Sequence, residues 1–180
     1  MNKPNQKNNR AKKGERTVVG SICVVIALVI AGALLVLAGN RARVVGRDIA
    51  AADITEFFYT RSSSVNPPEY QRYRFRVEDG TYTFYHEKRE GTHWPLTESD
   101  ITVSGTVELS GKEWTEFMEC LNGGTVKKRG ESAEAGGSGP WLYLYWKGDR
   151  AKYQEFSFSS LEAKRSFEEF CAELVMLHGE

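Results

Sequence analysis

The chain has 180 residues, and its 24 lysines and arginines balance its 24 aspartates and glutamates, so the formal net charge is zero. The charges are separated along the chain: residues 1–47 hold nine Lys or Arg and one acid (+8), whereas residues 48–180 hold fifteen and twenty-three (−8). This acidic C-terminal part argues against DNA, RNA or another polyanion as its main partner.

The first 39 residues combine a polar, basic tail with a long uncharged segment. Residues 1–16 are rich in Asn and Lys, which predicts a disordered cytoplasmic tail. Residues 17–39 carry no charged side chain, and a helix of this length extends ~35 Å, enough to cross a hydrocarbon core of ~30 Å. In lipid, only a helix lets a single segment pair its own backbone groups. The sequence therefore predicts a transmembrane helix over residues 17–39.

The basic residues around this segment predict its orientation. Six Lys or Arg precede it, and only Arg41, Arg43 and Arg47 follow it closely. Because positive residues resist translocation, we expect a cytoplasmic N-terminus and a C-terminal domain outside the membrane. A cleaved signal peptide is the alternative, but the apolar run exceeds its typical ~7–15 residues, which favours a retained anchor. Residues 37–39 also resemble the start of a bacterial lipoprotein box, but Asn40 stands where that box requires Cys, which excludes lipid attachment there.

The region after the span predicts one extracytoplasmic domain. Residues 40–52 form a short juxtamembrane linker, and residues 53–180 suffice for one hydrophobic core. Its strands are indicated by runs of aromatic and β-branched residues and by alternating apolar positions. Six segments have these patterns: 54–60, 70–77, 81–88, 101–109, 141–146 and 152–158.

Asp79-Gly80, between the second and third of these segments, is the strongest short signal for a β-hairpin. A two-residue loop there pairs Phe75 with Phe84 on an apolar face and Arg74 with Tyr85 on the opposite face. The same register predicts the pairs Val77–Tyr82, Tyr73–His86, Arg76–Thr83 and Arg72–Glu87. The segment 101–109 is predicted to bulge at Gly105 and to turn four residues inward: Ile101, Val103, Val107 and Leu109.

Two capping-box patterns, Ser110–Glu113 and Ser159–Glu162, predict the starts of two amphipathic helices. The charged, Gly-rich residues 127–140 predict a flexible loop. Together the elements predict an α+β fold, an antiparallel sheet of about six strands with two helices on one face. The predicted buried helix residues are Trp114, Phe117, Met118 and Leu121 in the first helix, and Leu161, Phe167, Phe170, Cys171, Leu174 and Leu177 in the second.

The cysteines argue against a disulfide framework. Cys23 lies within the span, which leaves only Cys120 and Cys171 in the domain. Helices packed side by side are ~8–10 Å apart, whereas a disulfide needs Cα atoms within ~7 Å. We therefore expect two buried free thiols.

The reactive residue types form no catalytic pattern. His86, His93 and His178 lack the spacing of a metal site, and the cysteines have no His nearby in sequence. Residues 136–140 resemble a nucleophile elbow but lack its second glycine and its strand-to-helix setting. The many glutamates fall on solvated faces of helices and strands. We expect no catalytic residue, no metal site and no cofactor.

Arginine and aromatic residues instead point to a binding surface on the side of the sheet that the helices leave open. If the last two strands are joined by a three-residue loop, their aromatic residues share that side with the arginines of the first hairpin. Tyr, Trp and Arg are enriched at binding hot spots. An ordinary solvent face decorated with strand-favouring aromatics is the alternative. The candidate binding face comprises Arg72, Arg74, Arg76, Tyr85, Trp141, Tyr143, Tyr145 and Tyr153.

The arrangement resembles a loose group of uncharacterised, single-span or secreted α+β proteins of Gram-positive bacteria. The resemblance is carried by the basic tail and span, by the opening strand at residues 54–60 and by the closing acidic amphipathic helix at residues 167–177. It covers most of residues 53–177 and implies exposure at the cell surface, without an activity.

These observations favour a membrane-anchored, non-catalytic binding or interaction domain outside the cell membrane, whose partner is an envelope protein or a glycan. The alternative function is a cell-envelope hydrolase whose residues converge from distant segments. A deep pocket with clustered titratable residues would favour the enzyme, and a flat sheet face would favour binding.

Overall fold

A computed structural model of the chain describes residues 26, 28–32, 41–130, 139–148 and 153–178. The chain divides into two compact units, Met1–Arg41 and Ala42–Glu180. In the first unit, residues 26 and 28–32 are helical, and the side chain of Leu28 is 67 % exposed. No helix among the described residues is long and apolar enough to cross a membrane. Most of the predicted span at residues 17–39 lies outside the described residues, as does the whole tail.

The described residues of the second unit form an α+β domain with one antiparallel sheet of eight strands. The strands are β1 (Arg43–Val44), β2 (Ile54–Ser63), β3 (Glu69–Glu78), β4 (Thr81–Glu90), β5 (Ile101–Leu109), β6 (Thr125–Arg129), β7 (Gly139–Trp146) and β8 (Tyr153–Ser157). Their order across the sheet is β1-β6-β8-β7-β2-β3-β4-β5. The helices are α1 (Gly111–Leu121) and α2 (Leu161–His178), and single 3-10 turns precede β2 and β5.

The sheet has two more strands than the predicted six because β1 and β6 carry almost no sequence signal. β1 has only two residues, and Val126 is the one buried residue of β6. Each strand is defined by its partners: β1 pairs with β6, and β6 pairs with β8. The segment at residues 40–52, predicted as a linker, also contributes Val45 and Ile49 to the core, each 2 % exposed.

The β3–β4 hairpin has the register that its turn predicts. Asp79 and Gly80 adopt φ of 50° and 83°, the left-handed conformations that a two-residue hairpin loop requires. Phe75 pairs with Phe84 and Arg74 pairs with Tyr85, and the other four predicted pairs also form.

The strand β5 departs from its prediction in two places. Val103, predicted to face inward, is 46 % exposed, because β5 is the last strand of the sheet and α2 covers it only partly. The pairing irregularity lies opposite Lys88 and Arg89 rather than at Gly105. Gly105 has another role: a Cβ there would lie 2.8 Å from Nε2 of the buried His86, so the glycine makes room for that ring.

The caps of the two helices differ. In α1, the Ser110 hydroxyl accepts a hydrogen bond from the Glu113 amide, and the Glu113 carboxylate accepts one from the Ser110 amide at 2.7 Å, which completes the predicted capping box. In α2, the Ser160 hydroxyl accepts from the Ala163 amide at 3.0 Å, so the cap lies one residue after the predicted Ser159.

The two helices cover one face of the sheet and bury the predicted aromatic core. Phe57 of β2 makes edge contacts with Phe117 of α1 and Phe167 of α2, and Phe75 stacks on Phe117 at 3.8 Å. All four predicted residues of α1 are buried, but in α2 only Phe167, Cys171 and Leu174 are, and Phe170 is half-buried. Leu161 and Leu177 are 65 % and 75 % exposed, because they lie in the first and last turns, beyond the part of α2 that packs on the sheet. Cys120 and Cys171 are free thiols.

Candidate functional site

The other side of the sheet, which we call the helix-free face, gathers all eight residues of the predicted binding face. In β2, Phe57 faces the helices, so its neighbours Phe58 and Thr60 point to the helix-free face. Register then fixes the rest: Thr60 pairs with Trp141 and Arg72, and Phe58 pairs with Tyr143 and Arg74. The remaining members follow from the same alternation: Arg76 in β3, Tyr85 in β4, Tyr145 in β7 and Tyr153 in β8.

The pairing of β7 with β8 has the parity that a three-residue loop requires. Tyr143 pairs with Glu155, which places Leu144 and Phe156 on the helix side. The Tyr143 and Tyr153 rings lie 5.8 Å apart on the helix-free face. The aromatic residues of this hairpin therefore share one side of the sheet with the arginines of β3.

Side chains on the helix-free face bury one another to an unusual degree. Thr60, Glu87 and Tyr143 are only 3–4 % exposed, although neither helix lies on this side. Lateral contact between long side chains of adjacent strands accounts for this burial. An ordinary solvated face would leave a carboxylate such as that of Glu87 open to water.

Glu87, on the strand next to the β5 edge, is a buried hydrogen-bond acceptor of this face. It accepts a hydrogen bond from the Tyr85 hydroxyl at 2.6 Å and another from the Arg89 guanidinium, and Arg72 lies 3.9 Å away. Burial alone would raise the pKa of Glu87, but these hydrogen bonds and positive charges lower it overall. Burial and the bond to Glu87 raise the pKa of Tyr85 to about 12. Glu87 is therefore charged and Tyr85 is protonated at neutral pH.

Guanidinium groups on this face are also held over aromatic rings. Arg74 lies 5.0 Å from the Phe58 ring centroid while it pairs with Glu56. Arg129 lies 5.4 Å from the Trp141 ring and pairs with Glu155 at 3.1 Å. Arg89 lies 4.4 Å from the Tyr70 ring. Carboxylates thus fix the arginines in place and neutralise them, while one side of each guanidinium plane rests on a ring.

Three buried donor groups in one lateral row have no hydrogen-bond partner among the described residues. They are Nε1 of Trp141, Oγ1 of Thr60 and Nε of Arg72, on three adjacent strands. An unpaired buried donor costs free energy, so acceptor atoms supplied to this row would stabilise it.

Comparison of the chain with protein-family models, with curated proteins and with solved structures finds no match. Function must therefore be argued from the geometry.

Sequence analysis missed the residues that order this face. The predicted strand at residues 54–60 contains Glu56, Phe58 and Thr60, and their alternation with Phe57 and Tyr59 assigns them to one side. Arg129 lay in the predicted loop at 127–140, and Arg89 lay beyond the predicted end of its strand. The pair Arg72–Glu87 was predicted, and it was the available signal for an ionic network.

A cleft on the helix side is the second candidate site. Its volume is about 270 Å³, and it lies beside α2 over the ends of β2, β3 and β4. The Tyr59 hydroxyl donates to Glu168, and the Tyr73 ring stacks on Tyr59 at 5.7 Å. Burial, together with the bond to Glu168, raises the pKa of Tyr59 far above its ordinary value, and burial raises the pKa of Tyr73 to about 12. Both phenols stay protonated at neutral pH, and the Tyr59 hydroxyl acts as a hydrogen-bond donor.

In the part of the chain that the structure describes, the cleft pairs a hydroxyl with a carboxylate at Tyr59–Glu168, and the helix-free face does so at Tyr85–Glu87. Both phenols are protonated at neutral pH. The cleft's further charged residues are Arg61, Glu69 and Lys88, and Lys88 pairs with Glu90 at 2.7 Å. Among the described residues, no three His, Cys, Asp or Glu side chains form a group that could hold a metal ion.

Proposed function

We propose that this chain is a membrane-anchored, non-catalytic binding domain that holds a protein partner on its helix-free face, outside the cell membrane. The observation that carries the proposal is the combination of fixed arginines with partly exposed rings. Arg74 and Arg76 keep 36 % and 42 % of their side-chain surface exposed, and Trp141, Tyr145 and Tyr153 are half-buried.

A protein is the partner class that this chemistry favours. Trp, Tyr and Arg are the residues most enriched at protein–protein hot spots, because they supply contact area at a small cost in conformational entropy. Packing and ion pairs already restrict these side chains, which lowers the entropy lost on binding. Because Glu56, Glu87 and Glu155 neutralise the arginines, the face offers little attraction to a polyanion.

The membrane part of the proposal is supported by sequence. Residues 17–39 carry no charge, and the basic residues before them favour a cytoplasmic N-terminus. The helical residues 26 and 28–32 expose the apolar side chains of Ile26, Leu28, Val29 and Ile30, as a lipid-facing helix would. The resemblance to surface proteins of Gram-positive bacteria agrees with an outward-facing domain.

A cell-envelope hydrolase is the alternative, and the cleft beside α2 is where its site would lie. The cleft, at about 270 Å³, is slightly smaller than the ~300–1,000 Å³ of common ligand pockets. The raised pKa values of Tyr59 and Tyr73 keep both phenols protonated, and therefore weakly nucleophilic, at neutral pH. A hydrolytic activity of the purified chain that Glu168→Gln abolishes, with unchanged folding, would support the enzyme over the binding domain.

Site-specific photo-crosslinking tests the binding proposal. A photoreactive amino acid replaces Tyr145 on the helix-free face or, as a matched control, the exposed Glu173 on α2, in the full chain within its native membrane. We expect a discrete adduct with one protein at position 145, lost when Trp141→Ala is added, and no such adduct at position 173. Adducts at neither position, or the same adduct at both, would contradict the proposal.

A further inference from the structure

The outer edge of the sheet at β5 is long and unprotected. β5 is the last strand in the order, and among the described residues it pairs only with β4. It has nine residues, and its pairing with β4 is regular from Val103 to Leu109. The opposite edge of the sheet, β1, has only two residues. A short strand is a common protection against pairing with another chain, and β5 lacks that protection.

The residues of β5 also lack the usual chemical protections of an edge. The strand contains no Lys and no Pro, and its single charge, Glu108, lies next to its C-terminal end. Val103 is 46 % exposed on the helix side, where it shares a cleft with Ala172 and Val175 of α2. An edge strand of this kind, rich in Thr and Val, is a template for a further strand.

The sequence of β5 is complementary to itself when two copies run antiparallel around a two-fold axis at Gly105. Val103 then lies opposite Val107 of the second copy, and Ser104 lies opposite Thr106. Thr102 lies opposite Glu108, so that no charge faces a like charge. The two Glu108 side chains are six residues apart along the axis, about 20 Å, which is beyond the Debye length of ~8 Å.

We propose that the chain forms a homodimer in which β5 pairs antiparallel with β5 of a second copy, with the two-fold axis at Gly105. This joins the two sheets edge to edge and covers Val103 on one side and Ser104 and Thr106 on the other. The helix-free faces of both copies then lie on the same side of the joined sheet, because antiparallel pairing around this axis keeps opposed residues on one face.

The mass of the full chain in detergent micelles, measured by light scattering after size-exclusion chromatography over a range of concentrations, tests the dimer. We expect a dimer for the wild type and for the control Val65→Lys, which changes a 74 % exposed valine in the loop between β2 and β3. Val103→Lys and Thr106→Lys should each weaken the dimer about tenfold or more. At a concentration low enough for the wild type to be monomeric, thermal unfolding of both variants should match that of the wild type. A wild type that is monomeric at every concentration, or a dimer that neither β5 variant weakens, would overturn the proposal.

Spin labels test the register directly. In a chain whose three cysteines are changed to alanine, a label at position 104 should lie about 8 Å from its counterpart, and a label at position 108 about 20 Å from its own. Equal separations at both positions would indicate parallel pairing and refute the two-fold axis at Gly105. Loss of the dimer contacts would leave the photo-crosslink at position 145 unaffected, so the two proposals fail independently.

Discussion

The two faces of the sheet bury their side chains by different kinds of contact. On the helix side, Phe57 and Phe75 are fully buried under α1 and α2, and apolar side chains suffice. On the helix-free face, their neighbours Phe58 and Arg74 contact each other, and among the described residues Arg74 pairs with Glu56 of the same sheet. Side chains on this face extend over neighbouring strands, and ion pairs neutralise their charges where these are buried. The helix side is thus built for stability, and the helix-free face holds polar groups in fixed positions at a surface.

The largest loss of stability is expected on the helix side. Phe117→Ala removes a ring that is fully buried and stacked on Phe75, and it should lower the free energy of unfolding by ~3–5 kcal/mol. Phe170→Ala, on the same layer but half-buried, should cost only ~1–2 kcal/mol. Chemical denaturation of the two variants measures both values. Equal losses would mean that the depth of burial under the helices has been misassigned.

A single polar substitution should reveal the ionic network of the helix-free face. Glu87→Gln removes the charge that accepts from Tyr85 and Arg89, and it should cost about 2–3 kcal/mol at pH 7, as for hydrogen bonds to a charged group. The control Glu90→Gln lies at the exposed end of the same strand and should unfold at the wild-type midpoint. A neutral Glu87→Gln variant would mean that the network contributes no stability.

The same residue predicts a pH dependence. Because the pKa of Glu87 is lower in the folded than in the unfolded chain, its contribution is complete above the ordinary glutamate value of about 4.3. The contribution is lost as the pH falls through the folded pKa. The stability difference between wild type and Glu87→Gln should therefore be largest at neutral pH and shrink below about pH 4, as denaturation at a series of pH values would show. A stability difference that grows in acid would contradict a lowered pKa of Glu87 in the folded chain.

A smaller effect is expected at the start of α1. Hydrogen bonds from Ser110 and His178 lower the pKa of Glu113 to about 2. Glu113→Gln should cost about 1 kcal/mol at neutral pH, the usual value of a helix cap, and the cost should vanish between pH 4.3 and 2. Glu119→Gln, exposed on the same helix, is the matched control. Thermal unfolding at pH 7 and at pH 2.5 separates the two variants.

The sequence predicted what depends on local pattern and missed what depends on distant partners. Asp79-Gly80 fixed the β3–β4 register, the apolar spacing of α1 gave its buried face, and the alternation in β7 placed its tyrosines correctly. β1 and β6 are strands only because they pair with each other and with β8. The contacts of Glu56 and Arg129 likewise join residues from different strands, and no local pattern predicts them. Leu161 and Leu177 fit the apolar spacing of α2 but lie beyond its packed region.

The affinities of two arginine variants show whether the helix-free face binds a protein. With the partner identified by the photo-crosslink, binding is measured for Arg74→Ala and for Arg165→Ala, an exposed arginine on α2. We expect Arg74→Ala to weaken binding at least about tenfold, whereas loss of its partly exposed ion pair with Glu56 should cost no more than ~1 kcal/mol of stability. Arg165→Ala should bind as the wild type does. Equal affinity of both variants and the wild type, with the folding midpoints unchanged, would contradict the claim.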